Sequence, residues 1–167
     1  MTDGDSAFWR FSLRFYARPE IPPLCIALQD DYGIDVNLLF FILFLSINQR
    51  RLTADEVHRI DAAIQGWRAN VVQPLRAVRR NLKGGIAPVT ATDAETLRSA
   101  IKRDELAAER IQQETLEREF PAHSTGTIAA PREAAAANIA AYGSATSPLP
   151  TAAVATLLSA LTEEFSG

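Results

Sequence analysis

Arg68, Arg76, Arg79, Arg80 and Lys83 fall in a stretch with no acidic residue between Asp61 and Asp93. On a helix, residues 76, 79, 80 and 83 share one face, where guanidinium forks can hold carboxylate or phosphate in bidentate fashion. That chemistry suits an acidic protein partner, RNA or a phosphorylated ligand. The plainer reading is a solvated face, or pairing with the glutamates of a helix expected over 94–119. No aromatic residues interleave with the arginines as sequence-specific RNA reading would require.

Other chemistry-bearing residues have weaker patterns. Asp30, Asp31 and Asp35 have a DDxxxD spacing that resembles the Mg²⁺-binding acids of isoprenyl-diphosphate enzymes, since hard oxygen ligands can bridge that ion to a diphosphate. Gly33 interrupts the motif, no second acidic motif stands on another core helix, and Asp35 reads equally as a helix cap. Asp55, His58 and Asp61 share a helix at steps of three, but a matching Glu-x-x-His is lacking and His123 is the only other histidine. Cys25, the sole cysteine, stands among apolar neighbours as an inert thiol would. Trp9 and Trp67 read as core anchors. Asn37 is the odd residue of an apolar helix, and a buried amide there must find partners. No catalytic residue, metal site or cofactor is expected.

These residues must be positioned by helices. Asp5 or Ser6 caps a first aromatic helix through Phe8, Trp9, Phe11, Phe15 and Tyr16, which Arg18-Pro19 ends. Pro22 and Pro23 suit the first turn of a second helix, which Gly33 stops in left-handed conformation. Asp35 caps a third, VNLLFFILFLSI, of residues 36–47. It is too short for the roughly 20 residues a bilayer span needs, so it reads as a core helix. Thr53 and Glu56 form a capping box flanked by Leu52 and Val57, and Val57, Ile60, Ile64, Trp67 and Val71 recur at helical spacing. Pro74 either kinks that helix or separates two. Gly84-Gly85 closes it, 85–92 reads as a loop, and Thr92 or Asp93 caps a long helix whose stripe is Leu97, Ile101, Ala108, Ile111, Leu116 and Phe120.

From Pro121 to Pro150 the chain turns to Ala, Ser, Thr, Gly and Pro, and packing there promises little against ordering entropy. A flexible linker is expected over 121–150, with a transient Ala-rich helix over 132–142. A terminal amphipathic helix follows within 151–167, through Val154, Leu157, Leu158, Leu161 and Phe165. The expected fold class is therefore all-α: a single helical bundle of about five to six helices within 1–120, a low-complexity linker and a C-terminal amphipathic helix.

With 167 residues and a formal charge of −3, the chain has room for one proper core and no global attraction to nucleic acid or anionic lipid. One cysteine excludes an internal disulfide framework, and the charged amino-terminal stretch lacks a secretory h-region, so a cytoplasmic protein is expected.

Phe8-Trp9-Arg10-Phe11-Ser12, Leu28-Gln29-Asp30 with Gly33 and Asp35 to Leu39, and Trp67-Arg68 with Pro74-Leu75-Arg76 and Arg79-Arg80 carry a likeness. Over roughly residues 6 to 120 the chain resembles a family of small bacterial proteins of unknown function. The resemblance implies a bacterial cytoplasmic protein and supplies no reaction.

The expected function is a non-enzymatic interaction or adaptor module that offers the Arg68 to Lys83 face and the terminal helix to a protein partner. An alternative is a bundle binding an apolar or isoprenoid-type ligand, with Phe40, Phe41 and Phe44 as the wall and enzymatic activity left open. A second alternative, not favoured, is RNA or nucleotide binding through the arginines. No signal for oligomeric state is present.

Overall fold

Ser6, Asp35 and Thr53 each begin a helix in the same way, by turning a side-chain oxygen onto backbone N–H groups that the first turn leaves unpaired. Ser6 Oγ accepts from Trp9 N at 3.1 Å, and Asp35 Oδ1 accepts from Asn37 N at 2.9 Å and Leu38 N at 3.2 Å. Thr53 and Glu56 bond reciprocally as a capping box. The computed structural model describes residues 5–162 and 164. In it the chain is all-α, with one two-stranded ribbon of two residues per strand. The residues separate into two compact units, one of those up to Asp61 with those from Gln113 onward, the other of Ala62–Gln112.

The first unit is built around α3 (Val36–Ile47), whose side chains are buried from Val36 to Ser46. Against it lie α1 (Ala7–Tyr16), α2 (Ile21–Tyr32) and α7 (Pro131–Ala145), the last being its most extensive neighbour. Phe8 meets Phe41 and Phe44 at ring-centroid distances of 5.1 and 5.3 Å, and Phe15 meets Phe40 edge-on at 5.2 Å. Each of these rings is worth about 3–5 kcal/mol against truncation to alanine. α2 stops at Gly33, whose φ of 64° is the left-handed conformation glycine tolerates.

The expectation of a flexible linker over 121–150 is corrected here. Residues 131–145 form the regular helix α7, and its Ala134, Ala135, Ile139 and Tyr142 are buried. Small side chains let the α7 backbone approach α3 closely, so burial there does not require large apolar residues. One polar residue fixes the approach: Asn138, fully buried, donates from Nδ2 to the Ile42 and Arg50 carbonyls at 2.9 Å each. Its Oδ1 accepts from Leu52 N at 2.7 Å. One amide thus ties α7 to α3, to β1 (Arg50–Arg51) and to the entry of α4 (Ala54–Trp67). β1 pairs antiparallel with β2 (Thr127–Ile128), Arg50 opposite Ile128.

α8 (Thr151–Leu161) packs on α7 and α2 with Ala153, Leu157, Ala160 and Leu161 buried. Among the described residues its apolar face is therefore occupied within the first unit. Phe165 lies outside the described residues.

The second unit contains the end of α4, a π-helical turn Arg68–Val72, α5 (Gln73–Asn81) and α6 (Ala91–Glu119) as far as Gln112. Pro74 neither breaks the helix nor leaves it regular. Its missing N–H and its ring conflict with the preceding turn, and the widened π turn absorbs the misfit by moving the Gln73 N–H onto the Arg68 carbonyl. α6 begins earlier than the sequence suggests. Thr90 is its capping residue, with Asp93 N donating to Thr90 Oγ1 at 3.1 Å.

Candidate interaction site

α5 and the turn that follows it have apolar residues at 75, 78 and 82 beside basic residues at 76, 79, 80 and 83, a sharply two-faced segment. None of its own residues is buried. Arg76 and Arg79 are half-buried because α6 supplies their counter-ions. Arg76 Nε donates to Glu105 at 3.0 Å and its terminal nitrogen to Glu109 at 2.6 Å, while Arg79 donates to the other oxygen of Glu105. Glu105 itself is 6% exposed. Burial pushes its carboxyl up, but hydrogen bonds and charges from Arg79 and Arg76 outweigh that and hold it below the usual carboxylate range. Trp67, at the end of α4, also holds α6, its indole N–H donating to the Ala108 carbonyl at 2.9 Å.

Of the five basic residues singled out by spacing, the structure thus places Arg76 and Arg79 in a half-buried ion network around the buried Glu105, Arg68 in a half-buried position in the π turn, and Arg80 and Lys83 on the exposed side. The glutamate pairing weighed as the plainer reading accounts for Arg76 and Arg79. The face left open is mixed. Val78 is 45% exposed, and Ile86 and Val89, past the left-handed Gly84 and Gly85, are 51% and 55% exposed.

The α6 stripe read from sequence also shifts. Ala94, Glu105, Ala108 and Gln112 face inward, and Leu97, Leu106 and Ile111 face solvent. The two arginines recruit the Glu105 side of the helix, and the leucines and isoleucine lose that side. With Val78, Ile86 and Val89, these make up the six of the eleven large hydrophobic side chains exposed among the described residues that belong to this 51-residue unit. The unit holds nine Lys and Arg against five Asp and Glu, a net +4, whereas the rest of the chain holds eight against fifteen, a net −7.

The remaining candidates take structural roles. The Asp35 carboxylate is committed to capping α3, and Asp30 and Asp31 are exposed at the end of α2. Asp55 and His58 are exposed on α4. Among the described residues, no three His, Cys, Asp or Glu side chains gather as metal ligands would. Burial pushes the Cys25 thiol up to about 12, far from a reactive thiolate. Asn37 finds its partner in Gln113, whose Nε2 donates to it at 2.7 Å. Burial, then the nearby Asp35 carboxylate, raise the Tyr142 hydroxyl above its ordinary value, so it stays a neutral core group.

Residues 7–116 match the model of a family described as protein of unknown function, DUF2390. The chain belongs to DUF2390. The resemblance read over roughly residues 6 to 120 is shown by that match, which includes α1 to α5 and most of α6. The DUF2390 match ends at Leu116, so Asn138 and the rest of α7, which cover α3, lie beyond it. No curated protein and no solved structure matches the chain. No helix among the described residues of this DUF2390 member is long and apolar enough to cross a membrane.

Proposed function

We propose that the protein is a non-enzymatic interaction module whose second unit docks an acidic, partly apolar segment of a protein partner. The observation that carries this reading is the concentration of exposed large hydrophobic side chains on a unit of net charge +4. Apolar surface beside cationic side chains is the composition of a binding patch, where burial supplies affinity and charge selects the partner. Within the set chosen by spacing, Arg80 and Lys83 are the contacting residues. Arg76 and Arg79 support them by fixing α5 on α6, and Arg68 lies in the turn that positions α5.

The apolar-ligand alternative is not adopted, because the Phe40, Phe41 and Phe44 rings fill their surroundings with Phe8, Phe11 and Phe15. Nucleic acid is a weaker fit, since carboxylates already engage Arg76 and Arg79. A cytoplasmic location is part of the proposal and rests on the single buried cysteine and the family resemblance.

The test is affinity purification from the native cell, with and without nuclease, comparing the natural chain with R80E/K83E. A nuclease-resistant protein partner lost in the double variant is the expected result. Recovery of the same partners by both proteins, or loss of all of them on nuclease treatment, would overturn it.

A further inference from the structure

The chain carries two exposed surfaces that are each partly apolar and are opposite in charge. The first is the α5 end: Arg79 and Arg80 stand in its last turn, Lys83 follows one turn on, and Val78 and Ile86 are 45% and 51% exposed. The second is the end of α2. Asp30 and Asp31 are exposed there, the last turn holds no basic residue, and Ile26 and Tyr32 are 54% and 49% exposed. Asp31 in that last turn meets the negative end of the helix dipole, an arrangement that a cation from another surface relieves.

Resting on the reading that the second unit is a docking surface, we infer that a second copy of this chain is one occupant: the α2 end of one copy docks on the α5 face of the next. Charge complementarity selects that pairing. Two α5 faces would set like charges together, and so would two α2 ends, whereas α5 against α2 sets Lys83 against Asp31 with apolar side chains beside them. The units that carry the two surfaces have net charges of +4 and −7, so the wider field favours the same orientation. Such a contact joins two different patches, so copies add head to tail and growth stops only if the rotation closes a ring. The charges are exposed, so added salt weakens the contact.

Sedimentation velocity of the full chain across a concentration series, at low and at high salt, tests this. The expected result is an average mass that rises with concentration at low salt and falls back toward the monomer at high salt. D31K and K83E should each weaken association roughly three- to tenfold. Mixing the two variants should restore it, because the altered α2 of one then faces the altered α5 of the other. I26S, which leaves every charge in place, should also weaken it. Circular dichroism confirms that each variant is folded. A monomer at every concentration in low salt, association unchanged in D31K and K83E, or no recovery on mixing would overturn the inference. If self-association fails while the R80E/K83E-sensitive partner persists, only this inference falls; loss of both removes the docking surface itself.

Discussion

Arg76 reaches across from α5 to Glu105 of α6 with its Nε 3.0 Å from the carboxylate, and that carboxylate is 6% exposed. A buried carboxylate is tolerated because two guanidinium groups satisfy it, and removing one leaves charge without its partner. R76A is expected to destabilise the chain by about 2–3 kcal/mol, below the range for fully buried pairs because the arginine is 18% exposed. K83E, on the open side, should leave the urea midpoint unchanged. Urea unfolding followed by circular dichroism compares the two directly.

Acid should act through the same group. The Glu105 carboxyl is lowered from 4.5 in the folded chain, burial opposing and Arg79 and Arg76 favouring the charged form. A carboxyl depressed by folding contributes stability that is fully present above its unfolded value and is lost as pH falls through its folded value. E105Q should therefore be less stable than the natural chain near neutrality, and the gap should close as the pH drops below 4.5. A gap of constant size across that range would show that Glu105 makes no ionic contribution.

Asn138 anchors α7 by three hydrogen bonds to backbone groups of α3, β1 and the α4 entry. N138A leaves those groups unpaired in a dry setting and should cost about 2–4 kcal/mol. Amide exchange at Leu52 should rise with it. Unchanged protection at Leu52 would mean that the asparagine does not hold the entry of α4.

A chain ended after Phe120 removes α7 and α8 and uncovers α3, which is apolar at nearly every position. It is expected to aggregate or lose its helical signal on expression, with light scattering and circular dichroism as the readouts. A monomeric, fully helical fragment would restore the linker reading of 121–150.

Much of the first half of the chain was legible because its signals act within a few residues. The Ser6, Asp35 and Thr53 caps, the Gly33 stop and the aromatic spacing of α1 each depend on local bonding or periodicity; the structure keeps the caps and the stop and buries Phe8, Trp9, Phe11 and Phe15, while Tyr16 at the helix end is 44% exposed. α7 was not legible, because beside Ile139 and Tyr142 its packing rests on small side chains and on one asparagine whose partners lie 86 to 96 residues away. Composition measures how much apolar area a helix brings and is silent on how close two backbones can come. The candidate site was legible in part. Spacing picked out Arg76 and Arg79, but their role depends on which glutamates α6 turns toward them, and the same choice exposes Leu97 and Ile111, which periodicity had placed inside. Pro74 marked an irregularity whose form, a π turn, depends on the helix continuing on both sides.

The most direct measurement is photo-crosslinking in the native cell with a reactive side chain at Val78, against the same group at Leu13 on α1, which is similarly exposed at 42%. A discrete protein adduct at position 78, absent at position 13 and lost when Lys83 is reversed to Glu, is the expected result. The same adducts at both positions, or none at position 78, would contradict a docking role for the second unit.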